Sequence, residues 1–165
     1  MQVITDINVA HQLAEQWKRE NQRVVFTNGV FDILHVGHVD YLNKSQALGD
    51  KLIVGLNNDD SVRRLNKGPE RPVNPENARA QVLAALRCVD AVIIFGDDTP
   101  LDLIKTIMPD VLVKGGDYDP LVTDATDKQY IVGSKEVRIN GGEVVTIPLV
   151  QGFSTTNIVG KLKSQ

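Results

Sequence analysis

The stretch RVVFTNGVFDILHVGH, residues 23–38, decides how the rest of the chain reads. Val24, Val25 and Phe26 make a short apolar run that breaks into the turn formers Thr27, Asn28 and Gly29, the pattern of a buried strand entering a loop. Phe31-Asp32 and His35-Val36-Gly37-His38 follow, and a helix is expected over residues 38–48, with Gly49 as its C′ residue. Strand, small-residue loop and helix start together aim backbone N–H groups and a positive helix end at an anion. Two imidazoles at that mouth suggest that the anion is phosphate.

Before this stretch, Val9, Leu13 and Trp17 stand at i, i+4 and i+8, which predicts an amphipathic helix over residues 8–20, capped by Asp6 or Asn8. After it, residues 51–56, 90–95, 111–113 and 143–147 read as four further buried strands. Helices are expected over residues 59–65, from Asn74 to Arg87 with Pro75 at N1, after a capping box at Thr99-Pro100-Leu101-Asp102, and from Ser154 to Leu162. Residues 66–73 make a basic loop, and residues 119–134 show no period and read as loop with little helix. Strands alternating with helices imply an α/β fold: a single Rossmann-like doubly wound domain with a five-stranded, mainly parallel sheet. Residues 1–22 supply an N-terminal amphipathic helix packed on the domain proper, residues 23–165. Ligands of such sheets sit beyond the carboxyl ends of the strands, where the unusual residues of this chain fall.

The chain has 165 residues, 42% apolar and 24% charged, enough for one domain with a real core. A net charge of −3 leaves no electrostatic footprint for nucleic acid or an acidic membrane, so phosphate must be met by a local cluster of cations. No apolar run reaches the length of a membrane span or signal core, so a cytoplasmic protein is expected. The single cysteine, Cys88, has no internal partner and reads as a small buried hydrophobe.

No segment fits G-x-x-x-x-G-K-[ST], and the first strand–helix turn lacks G-x-G-x-x-G, which argues against a P-loop kinase and a standard dehydrogenase. His35 and His38 could hold a metal, but no third or fourth ligand stands near them in sequence. Asn28-Gly29-Val30-Phe31-Asp32-Ile33-Leu34-His35-Val36-Gly37-His38 resembles the (T/N)GxFDxxHxGH signature of the cytidylyltransferase-like nucleotidyltransferases. Phe153-Ser154-Thr155-Thr156 is similar to that superfamily's second signature at a helix start. Five stretches, beginning at Phe26, Leu56, Asp97, Pro109 and Gly133, the last taken with Gly152–Val159, resemble the heptose 1-phosphate adenylyltransferases, the transferase part of ADP-heptose synthases. The sugar kinase domain fused in some of those relatives has no counterpart here, so a stand-alone transferase is expected. Leu149 to Thr155 lacks the arginine of the glycerol-phosphate cytidylyltransferases, which argues against the CTP branch.

The resemblance implies transfer of AMP from ATP to a sugar 1-phosphate, most closely D-glycero-β-D-manno-heptose 1-phosphate, with Mg²⁺ accompanying the triphosphate and a homodimer as the assembly; the alternatives are a glycerol-phosphate or other cytidylyltransferase, an FMN adenylyltransferase, or a nucleotide-binding module without catalysis. It makes His35, His38 and Lys67 the catalytic candidates. Thr27, Asn28, Gly29, Val30, Phe31, Gly37, Asp59, Lys114, Gly115, Ser154, Thr155 and Thr156 become candidates for the nucleotide. Asp32, Arg63, Arg71, Arg79 and Asp117 become candidates for the second substrate, with Asp32 equally suited to pinning the loop. No dedicated metal ligands are expected.

Overall fold

The computed structural model describes residues 2–66 and 68–163. Its strands are β1 (Gln2–Ile4), β2 (Val24–Gly29), β3 (Lys51–Asn57), β4 (Ala91–Phe95), β5 (Val111–Gly115) and β6 (Glu143–Ile147). They form one sheet in the order β1-β4-β3-β2-β5-β6, every neighbouring pair parallel. The helices are α1 (Ile7–Arg19), α2 (Val36–Gln46), α3 (Asp59–Arg64), α4 (Glu76–Ala84), α5 (Leu101–Ile107), α6 (Ser134–Ile139) and α7 (Thr155–Lys163).

Side chains alternate between the faces of a strand, and here both faces are covered. Val24, Phe26, Ile53, Ile93 and Leu112 point into one core, shared with Ala10, Ala14 and Trp17 of α1 and Leu103, Ile104 and Ile107 of α5. Val25, Leu52, Val54, Val92 and Val113 point into the other, with Leu42 of α2 and Ala80 and Leu83 of α4. Each central strand is therefore apolar along its middle residues, which is why these strands read as apolar runs, with polar residues such as Asn28, Asn57 and Lys114 toward the carboxyl ends. From β2 the chain steps outward through β3 to β4, then returns to lay β5 on the opposite side of β2. The crevice between the carboxyl ends of β2 and β5 is the topological switch point of the sheet, where ligands of such folds bind.

The expected five strands are six. The addition, β1, has three residues of which only Ile4 is buried, and it is held by register with Ala91, Val92 and Ile93 rather than by an apolar pattern of its own. The buried stripe of α1 is also shifted. Ala10, Ala14 and Trp17 face the core while Val9 is exposed, because two alanines let the helix lie close to its neighbours. Asp6 caps α1, accepting from the Asn8 N–H at 2.8 Å.

Gly49 is not the left-handed C′ residue expected, since α2 ends in a right-handed Ala47. A Cβ at Gly49 would lie 2.7 Å from the Arg23 carbonyl oxygen and 2.7 Å from Val25, so the glycine serves close packing beside the start of β2. Pro75 is the N-cap of α4 rather than its first residue, and that helix stops at Ala84. The capping box at α5 does not form: Pro100 occupies the N-cap, and no side chain caps the helix. Residues 119–133 hold neither helix nor strand. Asp119, Asp124 and Asp127 each accept the N–H two residues on, at 2.8 to 2.9 Å, so the loop is a chain of Asx turns.

Candidate active site

The loop leaving β2 turns sharply at Phe31, whose backbone is left-handed with φ 45°. Its ring then meets His38 edge-on, with centroids 5.1 Å apart. His35 is the N-cap of α2, yet its side chain makes no capping hydrogen bond, so the imidazole is not committed to the helix. It folds back instead and stacks on His38, with ring centroids 3.8 Å apart and planes 18° from parallel. Gly37 makes the fold-back possible: a Cβ there would stand 3.0 Å from His35 Nδ1 and 3.4 Å from the Phe153 Cβ. The room left by the missing side chain thus belongs to His35 and to the chain entering α7.

Burial, then the neighbouring His35, pushes His38 down to about 4, with the Arg71 charge acting in the same sense and the Ile33 carbonyl against it. Burial lowers His35 as well. The pair is neutral at pH 7 and presents N–H dipoles rather than cations. The Nδ1 atoms of both rings are buried without a hydrogen-bond partner among the described residues.

Across the switch point, Lys114 at the end of β5 donates from Nζ to Asn28 Oδ1 at 2.6 Å and lies 5.3 Å from the Tyr118 ring. Ser154 caps α7, its Oγ accepting from the Asn157 N–H at 3.0 Å. The approach of Phe153 to Gly37 brings the amino ends of α2 and α7 to one place. Two positive helix ends, a lysine and two imidazoles therefore converge on a cleft of about 520 Å³, within the range of small-ligand sites.

The cytidylyltransferase-like family model matches residues 26–161. The chain belongs to the cytidylyltransferase-like family. The bifunctional protein HldE of Rhodopseudomonas palustris is 56% identical over 152 residues, 92% of this chain and 29% of the relative. The bifunctional protein HldE of Geotalea uraniireducens is 50% identical over 161 residues, 98% of this chain and 31% of the relative. The chain thus spans about three-tenths of the length of these curated relatives. Among solved structures, the lipopolysaccharide core biosynthesis protein of Thermoplasma volcanium is 27% identical with a TM-score of 0.59, covering 78% of this chain and 97% of that one. The pantoate-beta-alanine ligase of Francisella tularensis has a TM-score of 0.63 at 16% identity, covering 99% of this chain and 77% of that one, and shares the fold alone.

In this member of the cytidylyltransferase-like family, the signature residues Asn28, Gly29, Val30, Phe31, His35, Gly37 and His38 all line the cleft, as do Lys114, Gly115, Ser154 and Thr155. Other candidates do not. Thr27 is fully buried behind the wall, where its hydroxyl pairs at 2.7 Å with that of Tyr41, a cleft residue. Thr156 and Asp117 are exposed outside the wall, and Arg63 pairs with Asp60 at 2.6 Å on the surface of α3.

The buried charges serve the scaffold. Arg79 donates to the carbonyls of Val30, Asn57 and Asn74 at 2.8 to 2.9 Å and to Asp59 at 2.7 Å, tying β2, β3 and the crossover loop together. Asp59 is thereby engaged as a partner of Arg79, not placed in the cleft. Asp32 accepts from Arg71 Nε at 2.5 Å and from the N–H groups of Val73 and Asn74 at 2.9 Å, so it pins the loop. Arg71, itself buried, faces Asp32 and not the cleft. Lys67 lies outside the described residues.

Sequence reasoning missed the two ends of the cleft. One wall adds Asn57, Asp98 and Thr99; the other adds Tyr118, Tyr130 and Phe153. Thr99 was hidden by its resemblance to a helix cap and Tyr130 by the absence of any period in its loop. The rule that ligands sit beyond strand ends was the available signal for Asn57 and Asp98.

Among the described residues, no group of three or more His, Cys, Asp and Glu side chains could hold a metal ion. Asp98 is the one carboxylate among the described lining residues, and it pairs with Arg64 at 2.6 Å. These residues do not make a resident metal site. A magnesium ion would arrive with the phosphates of a nucleotide.

Proposed function

We propose that the protein transfers AMP from ATP to a sugar 1-phosphate, D-glycero-β-D-manno-heptose 1-phosphate, releasing pyrophosphate and ADP-heptose. The observation that carries the reading is the stacked, neutral His35–His38 pair beside the amino end of α2, at the switch point of the sheet. The likeness to bifunctional HldE proteins and to a lipopolysaccharide core biosynthesis protein supports the choice of acceptor. The cytoplasm, where ATP and sugar phosphates meet, is the proposed place of the reaction. No helix of the described residues is long and apolar enough to cross a membrane.

In this reaction an oxygen of the acceptor phosphate forms a bond to the α-phosphorus of ATP while the bond between that phosphorus and the bridging oxygen of pyrophosphate breaks. The attacking oxygen is already ionised at neutral pH, so no side chain has to remove a proton and no covalent intermediate is needed. The protein contributes alignment and stabilisation of charge on the phosphates. His38 and His35 donate N–H hydrogen bonds to phosphate oxygens, with His38 nearest the α-phosphate. Lys114 and the amino ends of α2 and α7 supply positive potential. Asn28 to Phe31 and Gly115 border the nucleoside, and Ser154 and Thr155 the triphosphate.

The test is pyrophosphate release from ATP or CTP with a panel of phosphorylated acceptors, for the wild type and for His38→Ala. Turnover of ATP with heptose 1-phosphate, reduced about 10²–10³-fold by His38→Ala, is the expected outcome. A preference for CTP or for a glycerol or choline phosphate would overturn it.

A further inference from the structure

The two ends of the cleft have different chemistry. Beyond β5 and β6 the wall is aromatic, with Tyr118, Tyr130 and Phe153, a surface suited to a planar base. Beyond β3 and β4 it carries Asn57, Asp98 and Thr99, and the histidines on the β2–α2 connection lie between the two ends. Base and acceptor must both reach the α-phosphorus held near those histidines, so they occupy opposite ends. The aromatic end takes the base, and the acceptor is left with the polar end.

Asp98 is the feature that separates one substrate from the other. A carboxylate repels the triphosphate and accepts hydrogen bonds from hydroxyl groups, two of which on adjacent carbons match its two oxygens. Its present partner is Arg64, held at 2.6 Å and steadied by a second bond from Nη2 to the Gly96 carbonyl at 2.5 Å. Both side chains are well exposed, 49% for Arg64 and 78% for Asp98, so the pair is solvated and readily exchanged for hydroxyl donors. Thr99, not engaged as the cap of α5, adds a hydroxyl that both donates and accepts.

We infer that Asp98, assisted by Thr99, recognises the hydroxyl groups of the acceptor sugar and so makes the cleft selective for a polyol phosphate. The inference rests on the sugar 1-phosphate reading above. Asp98 stands away from the phosphates and takes no part in the transfer itself.

Steady-state kinetics of pyrophosphate release test this with wild type, Asp98→Asn and Arg64→Gln, varying ATP and heptose 1-phosphate separately, with ATP affinity measured by calorimetry as a check on folding. Asp98→Asn is expected to raise KM for the sugar phosphate about ten-fold while KM and Kd for ATP stay within about two-fold. Arg64→Gln, which keeps the carboxylate, is expected to change the acceptor KM by less than about three-fold. An unchanged acceptor KM in Asp98→Asn, in an active wild-type background, overturns the role of Asp98 and leaves the adenylyltransferase reading standing. Equal effects of the two substitutions reduce Asp98 to a partner of Arg64 and also overturn it. Absence of wild-type turnover with every sugar 1-phosphate overturns the functional reading and this inference together.

Discussion

The rings of His35 and His38 lie face to face, with centroids 3.8 Å apart, and neither Nδ1 has a hydrogen-bond partner among the described residues. Two imidazolium ions at that spacing would repel each other, and burial already penalises the charged form of each. The arrangement selects a neutral pair.

Stability should follow from this in acid. His38 is held at about 4 in the folded chain against an ordinary 6.5, so between those values the unfolded state binds more protons. Stability therefore rises with pH across that window and is lost as pH falls from about 6.5 toward 4. Urea midpoints measured through the window should show this fall, and His38→Gln should show a shallower one. An identical slope in the variant would falsify the assignment.

Gly37→Ala should damage activity more than stability. The added Cβ meets His35 Nδ1 at 3.0 Å and Cε1 at 3.1 Å, atoms of a side chain that can swing away. The ring leaves its stack on His38, and a fall of about ten-fold or more in kcat/KM is expected, as when one stabilising donor is displaced. Thermal melting should move by only a few degrees, which corresponds to about 1 kcal/mol or less.

Asp32→Ala should be among the most destabilising single changes. It strands the Arg71 guanidinium, whose side chain is 7% exposed, and deprives the Val73 and Asn74 N–H groups of their acceptor. Breaking a buried pair from one side costs about 3–5 kcal/mol. Urea unfolding should record that loss, and the double variant Asp32→Ala with Arg71→Met should recover part of it by removing the stranded charge.

Gly49 separates two readings of one residue. A left-handed C′ position tolerates asparagine better than alanine. The position found here, where a Cβ would stand 2.7 Å from a backbone oxygen, rejects both, and asparagine more strongly because it is larger. Gly49→Ala is expected to cost about 1–3 kcal/mol and Gly49→Asn more, measured by denaturant unfolding.

The parts of the fold legible in the sequence were those whose pattern is local. β2 to β5 announce themselves because a strand covered on both faces is apolar along most of its length, and the edge strand β6 does so through Val144, Val145 and Ile147. β1 does not, since one buried residue in three is no pattern, and only its pairing with β4 makes it a strand. Likewise Val9, Leu13 and Trp17 are a fair helical stripe in isolation, but the face that packs is the one whose alanines permit close approach.

The histidine end of the cleft is carried by residues of one contiguous motif, so its place on a strand–loop–helix unit was readable before the fold was known. Which cations face the ligand was not. Arg71 and Arg79 look like phosphate ligands in a sequence, yet Asp32, Asp59 and three carbonyl oxygens claim them, because a buried guanidinium must satisfy its donors wherever acceptors are nearest. Asp98 and Tyr130, separated by 32 residues, line opposite ends of one cleft only because β4 and β5 lie on opposite sides of β2. The order of residues along the chain was enough for the strand–loop–helix unit and its pair of histidines, since both depend on neighbours within a few positions. The division of charges between scaffold and cleft came from packing across the whole sheet, because each buried polar group takes its partner from wherever distant segments bring one within reach.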